Sequence, residues 1–342
     1  MGYRLCSKGR IEPLPDPIAN YVAKDIDMNR DLFVRSKANP IITPTDLPFN
    51  VNGVLNPGVA LVDGEVVLLL RIENRRGISG LYVARSANGV DGWRIEREAL
   101  LEPRLAEYPY EKWGCEDPRV TQIGPHTWMI AYTAYSPFGP GVALAKTEDF
   151  VSVERLGLVM SPNNKDATLF PEKINGSWLM LHRPVTGSGE HIWHASSDDL
   201  LHWALPGVLL PANGGPWWDG LKVGTGAPPI RTEKGWLLIY HGVKAGGGHL
   251  IYRLGLALLD LDDPRKLLAR SSDWVFAPET EYEQRGLVPD VVYTCGALER
   301  DGEVWMYYGG ADTVIGLAIA KTTDLVDFAL EHDFLHEEAR DR

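Results

Sequence analysis

Five short apolar stretches recur along the chain: EVVLLLRIE (65–73), TWMIAYTAY (127–135), SWLMLHRPV (177–185), GWLLIYHGV (235–243) and EVWMYYGGA (303–311). Each is rich in β-branched, aromatic or Leu residues, which predicts a strand. Asp63-Gly64, Asn175-Gly176, Lys234-Gly235 and Asp301-Gly302 mark tight turns at the starts of four of them. A second strand follows each one: GLYVARS, GVALAKT, HIWHASS, LGLALLD and IGLAIAK. An earlier strand precedes each hairpin: PGVALV, EDPRVTQI, ATLFPEKI, APPIRTE and TCGALER. Several units end in a polar tail such as SDDLLHW or KTTDLVDF.

The unit is strand, turn, strand, loop, strand and a less regular fourth, with a period of about 50 to 60 residues. Five strand-rich repeats predict an all-β chain folded as a five-bladed β-propeller. A β-sandwich is the alternative, and it leaves the repetition unexplained. Residues 1–50 are expected to form an N-terminal arm and closing segment, with a short helix around IANYVAKDI. No linker divides the chain, so residues 1–342 are expected to form a single domain.

Composition narrows the class. The chain has 342 residues, 44% apolar and 23% charged, as in ordinary globular proteins with a substantial core. A net charge of −12 argues against a nucleic-acid partner and leaves room for a local basic site. Cys6, Cys115 and Cys295 are scattered, so neither a disulfide framework nor a zinc site is expected. The first residues lack the apolar core of a signal peptide, and no stretch is long enough to span a bilayer. The expected location is the cytoplasm.

Polar residues open the first strand of each repeat: Asn56, Asp117, Lys165 with Asp166, Lys222 with Gly224 and Gly226, and Asp290. Arg71, Arg183, His241 and Asp312 stand in or just past the second strands. A charge inside an apolar strand costs several kcal/mol unless it is compensated. Superposed repeats would gather these residues into one axial pocket; internal salt bridges are the alternative. Pro118 removes a backbone donor, so Asp117-Pro118 is expected at a strand entrance. Strand alternation puts Glu116 and Asp117 on opposite faces, with Asp117 and Arg119 together.

With these positions in place, the chain resembles glycoside hydrolase family 130, the mannoside phosphorylases and related β-mannosidases. The resemblance runs from about residue 33 to 325 and rests on motifs in order, among them NPIITPTDLPF, NPGVAL, EDPRV, LFPEKINGSWLMLHRP, LKVGTGAPPI, PETEYEQRGLVPDVV and YYGGADT. It implies a five-bladed propeller, agreeing with the repeat count. It implies Asp117 as general acid, passing its proton through the 3-hydroxyl of the mannosyl unit. Inorganic phosphate then attacks the anomeric carbon, giving α-mannose 1-phosphate with inversion. The resemblance places phosphate at Lys165, Arg183, Lys222 and His241, and the sugar at Asn56, Arg71, Asp290 and Asp312. Tyr240 and Tyr252 could offer ring faces or hydroxyls, or simply pack the core. Trp217 and Trp218 could stack on a sugar ring. No metal or cofactor is implied, the partners are a small oligosaccharide and phosphate, and a homo-oligomer is left open.

The pattern departs from the family at two places. Lys165-Asp166 stands where mannosyl phosphorylases often carry Arg-Asn, and Asp290 where Asn is frequent. Both changes add negative charge near the site. The alternative function is a β-mannosidase using a carboxylate-activated water. An inverting hydrolase needs a base roughly 6.5–9.5 Å from the acid, and Asp166, Glu281, Glu283 and Asp290 are the candidates. A sugar-binding propeller without catalysis is the third reading. The basic cluster is expected to hold the Asp117 carboxyl down until phosphate binds.

Overall fold

The computed structural model describes residues 32–187 and 189–333, together with the backbone of two short strands near the start of the chain. Those strands, Tyr3–Leu5 and Ile11–Pro13, pair antiparallel within a compact unit spanning Met1–Asp31. The helix expected around IANYVAKDI lies outside the described residues, as does Cys6.

The second unit, Leu32–Arg342, is built from antiparallel strands in five successive groups. The first group runs Gly53–Val62, Glu65–Glu73, Ser79–Ser86 and Arg94–Leu101. The second runs Gly114–Gly124, Thr127–Ser136, Gly139–Thr147 and Glu154–Met160. A single parallel bridge between Ser79 and Gly114 joins these two groups. The third contains Asn164–Leu169, Trp178–Pro184, Ile192–Ser197 and Ala204–Leu210. The fourth contains Lys222–Thr225 and Ile230–Arg231, both against Trp236–Gly246, then His249–Leu259 and Leu267–Arg270. The fifth contains Val292–Arg300, Glu303–Gly310 and Val314–Lys321. Its outer strand comes from far earlier in the chain: Val34–Arg35 pairs with Ile319 and Ala318.

Turn chemistry explains the hairpins. Asp63-Gly64, Asn175-Gly176 and Asp301-Gly302 have positive φ at both residues, as a tight two-residue hairpin turn demands. One polar tail behaves differently from the others. Thr322–Glu331 is a helix, because Leu325, Val326 and Ala329 share one face and bury it.

The apolar alternation of each group faces two neighbours. In Glu65–Glu73, Val67 and Leu69 pack with Val120, Trp128 and Ile130 of the second group. Leu68 and Leu70, on the other face, pack with Tyr307, Ile315 and Leu317 of the fifth. Met129 and Leu144 meet Leu169 and Met180, joining the second and third groups. Leu179 and Leu181 meet Leu238 and Tyr240, joining third and fourth. Leu237 and Ile239 meet Val304 and Met306, joining fourth and fifth. Each group therefore has an apolar layer on both faces, worth about 1.5–3 kcal/mol per fully buried Leu, Ile or Val. Cys115 and Cys295 are buried free thiols. Among the described residues, no helix is long and apolar enough to cross a membrane.

Candidate active site

The first strand of most groups is broken by a bulge, and the bulges build the site. Pairing registers skip between Leu55 and Gly58, between Glu116 and Arg119, and between Lys165 and Thr168. The first skipped residue is left-handed in each: Asn56 at φ 38°, Asp117 at 49° and Asp166 at 55°. Asn and Asp tolerate this region better than other residues with side chains. Asp117-Pro118 thus lies inside the strand Gly114–Gly124, not at its entrance, and the missing proline donor falls where the ladder is already interrupted. The residue before each bulge faces an equivalent position on the next strand: Leu55 faces Arg71, Glu116 faces Thr133 and Lys165 faces Arg183. Gly224 faces His241 in the fourth group. The recurring spacing in the sequence is this recurring register.

A cavity of about 490 Å³ opens where these positions meet, bounded by Arg71, Glu116, Lys165, Arg183, Lys222 and His241, with Glu190, Tyr252 and Tyr293 also on its wall. Asp117 lies beneath the wall, buried, and its Oδ1 accepts from Asn56 Nδ2 and Arg71 Nη1, both at 2.9 Å. Lys165 Nζ stands 3.9 Å from its Oδ2. Burial alone would raise this carboxyl, but Arg71, Lys165 and Arg119, with the Asn56 bond, hold it down to about 2. Arg71 also donates to Glu116 Oε1 at 3.0 Å and Ser79 Oγ at 3.0 Å. The positive φ at Asp117 breaks strand alternation, so Glu116 and Asp117 share one guanidinium instead of facing opposite ways. Burial pushes Glu116 upward against the pull of Arg71, so the two neighbouring carboxyls are driven apart. Arg119 turns beneath the floor and donates to the carbonyls of Asp117, Thr225 and Gly226 and to Tyr293 Oη.

Asp166 points inward and is fully buried. Its Oδ2 accepts from Arg183 Nε at 2.8 Å and its Oδ1 from Tyr293 Oη at 2.8 Å. His241 Nε2 is 3.4 Å from Oδ2, and Lys165 Nζ is 4.0 Å from Oδ1. Burial opposes this charge, yet Arg183 and Lys165 hold the carboxyl well below the usual range. Close packing here needs Gly224, where a Cβ would come within 2.4 Å of Asp166 Oδ2 and 2.5 Å of His241. Burial keeps the His241 imidazole neutral, with its pKa down to about 4. Lys222 is lowered to about 8 by burial and by its cationic neighbours Arg183 and Lys165. Its Nζ lies 5.4 Å over the Tyr252 ring, and among the described residues it forms no ion pair.

Asp312 lies within electrostatic reach of Arg71 and Asp117, and burial pushes its carboxyl up to about 6. Of the expected sugar contacts Arg71 is on the cavity wall; Asn56 and Asp312 lie behind it beside Asp117, and Tyr240 and Asp290 are turned to other partners. Tyr240 is buried on the face opposite His241, stacked 5.6 Å from Trp218, with its hydroxyl on Asp219 at 3.1 Å and taking a bond from Arg270. Strand alternation sends His241 to the pocket and so must send Tyr240 to the core. Trp218 is buried with it. Asp290 is partly exposed and bonded to His249 Nε2 at 2.6 Å.

The carboxylates considered as a hydrolytic base are all engaged. Asp166 is tied as above, and Asp290 holds His249. Glu283 accepts from Arg35 Nε at 2.9 Å, from Tyr308 Oη at 2.7 Å and from two backbone amides that it caps. Glu281 is exposed beside Arg285. Sequence reasoning passed over Tyr293 and Glu190, which meet the site only through packing. Among the described residues, no group of three His, Cys, Asp or Glu side chains is arranged to hold a metal ion.

A family model described as beta-1,4-mannooligosaccharide phosphorylase, that of the family 130 glycoside hydrolases, matches residues 26–331. A 1,2-beta-oligomannan phosphorylase of Thermoanaerobacter sp. (strain X514) is 40% identical over 72% of this chain and 80% of its own. The solved beta-1,2-mannobiose phosphorylase from Listeria innocua, in complex with beta-1,2-mannobiose, superposes with a TM-score of 0.80 at 33% identity. That match covers 87% of this chain and 99% of the other. A GH130 structure described with glycoside hydrolases that target beta-1,2 mannosidic linkages in Candida mannan has a TM-score of 0.76 at 25% identity, covering 85% and 94%.

Proposed function

Because the chain belongs to glycoside hydrolase family 130, we propose that it is an inverting β-mannoside phosphorylase, and that its five strand groups are the blades of a propeller around the cavity. The propeller reading is supported by the apolar layers, which link the groups in the order one to five and the fifth back to the first. Residues 32–333 act as one domain in this reading. The β-1,2 linkage is favoured by the relatives described above, whose names specify it.

One observation carries the reaction: a buried acid, Asp117, lies beside a cavity whose wall holds Lys165, Arg183 and a Lys222 that forms no ion pair among the described residues. A phosphate oxygen attacks the anomeric carbon from the side of these cations. The bond from that carbon to the departing sugar oxygen breaks, and that oxygen takes a proton originating at Asp117, relayed by the mannosyl 3-hydroxyl. Phosphate is already anionic, so no general base is required. Lys165 and Lys222 supply charge neutralisation. Asn56 and Arg71 hold Asp117 and offer donors to the sugar, with Asp312 and Glu116 as acceptors.

Before phosphate binds, Asp117 is ionised, since a carboxyl at about 2 holds almost no proton at neutral pH. A phosphate dianion on Lys165 cancels part of the charge that depresses it. Proton uptake by Asp117 therefore accompanies phosphate binding. No cofactor takes part, and phosphate is the co-substrate.

The test is incubation with β-1,2- and β-1,4-mannobiose, with and without phosphate. Mannose 1-phosphate of α configuration, formed only with phosphate, is expected, faster from the β-1,2 substrate. Mannose release that ignores phosphate would reject the phosphorylase in favour of the hydrolase.

A further inference from the structure

Arg183 enters the cavity already occupied. Its Nε donates to Asp166 Oδ2 at 2.8 Å, and its Nη1 is paired with Glu190 Oε2. Around the proposed phosphate position, the cations Lys165, Arg183 and Lys222 are thus faced by the carboxylates Asp117, Asp166 and Glu190. His241 adds no charge near neutral pH. At this end of the pocket three cations face three carboxylates before any anion arrives, and a phosphate reaches the Arg183 guanidinium only if the carboxylate lying on it yields.

The three are not held alike. Asp117 is 3% exposed and held by Asn56 and Arg71. Asp166 is 0% exposed and held by Arg183 and Tyr293. The Glu190 side chain is 15% exposed and pairs with one cation. Its backbone is fixed independently, by the bond from Val223 N to its carbonyl at 3.0 Å and the bridge to Lys222. The carboxylate can therefore swing away without disturbing the strand beneath it.

We propose that Glu190 is an internal stand-in for phosphate: its carboxylate covers the Arg183 edge that phosphate takes, and phosphate must displace it to bind. Carboxylate and phosphate oxygens suit the guanidinium equally in geometry, which is why one can hold the place of the other. Glu190 thereby sets the phosphate concentration at which the enzyme works and keeps Arg183 neutralised until phosphate binds. The inference rests on the phosphorylase reading.

The test uses the full chain, with Glu190→Gln and Glu190→Ala beside the unmodified protein. Inorganic phosphate binding is measured by titration calorimetry, and phosphate KM and kcat are measured with β-1,2-mannobiose. Thermal melts check folding. Both variants are expected to bind phosphate at least fivefold more tightly, with phosphate KM falling in step. Unchanged or weaker phosphate binding in both folded variants overturns the proposal, because Glu190 then only positions Arg183 or serves elsewhere. An unmodified protein that binds phosphate but makes no mannose 1-phosphate would sink the phosphorylase reading, and the calorimetric comparison would still decide the role of Glu190.

Discussion

Asn56 Nδ2 donates to Asp117 Oδ1 at 2.9 Å across 61 residues of chain. Both residues sit at the left-handed position of a bulge in the first strand of their groups. The same local distortion, repeated in neighbouring strand groups, turns two side chains toward one point. Asp166 repeats it a third time and collects Arg183 and Tyr293.

Asp117→Asn is expected to lower kcat by about 10²- to 10⁴-fold, the usual worth of a positioned acid, while the chain still folds. Mannose 1-phosphate release and thermal melting measure the two effects. The native carboxyl has its pKa depressed from 3.8 to about 2, so its charge stabilises the fold above pH 3.8. That contribution fades as the pH falls toward 2. The Asn variant should lack this part of the acid-unfolding curve.

Lys222 is lowered from 10.5 to about 8, so it is charged below that pH and neutral above it. Phosphate KM should rise as the pH passes 8. Lys222→Arg keeps its charge there and should move the alkaline limb up by more than about one pH unit. The same shift makes folding less favourable while the lysine is charged, with relief between pH 8 and 10.5. A limb that stays at the same pH in the Arg variant would assign it to another group.

Gly224→Ala would push a methyl group against Asp166 Oδ2 and the His241 ring. Overpacking of this kind costs about 1–3 kcal/mol. Urea unfolding should shift by that amount, and phosphate KM should rise because both neighbours move.

Tyr240→Phe separates the core from the site. It deletes the hydroxyl that donates to Asp219 and accepts from Arg270 Nε, while Arg270 Nη2 stays on Asp219, at a cost of about 1–3 kcal/mol for the buried Nε left unmatched. Turnover should stay within about twofold, since the residue is on the face away from the cavity. A large fall in kcat/KM at unchanged stability would return Tyr240 to the sugar site.

Much of this architecture was readable along the chain. X-Gly pairs marked the hairpins, and the apolar stretches between them marked five groups. The repeated polar positions share a register, because Arg71, Arg183 and His241 face Leu55, Lys165 and Gly224 of their first strands. Reading Asp117-Pro118 as a strand entrance failed because a bulge, too, has no use for the proline donor. Placing Glu116 opposite Asp117 failed for the same reason: a two-residue alternation assumes an unbroken pleat.

By itself the sequence determined what local chemistry can specify: strand-forming stretches, turns and the types of residue that reach the centre. Tertiary structure alone decided which carboxylate meets which cation. Asp166 with Arg183, Tyr293 with Asp166 and Glu190 with Arg183 all form where separate strands and loops converge. Residue periodicity is a property of one strand, whereas charge balance in a buried pocket is a sum over several, fixed only when their sheets pack together.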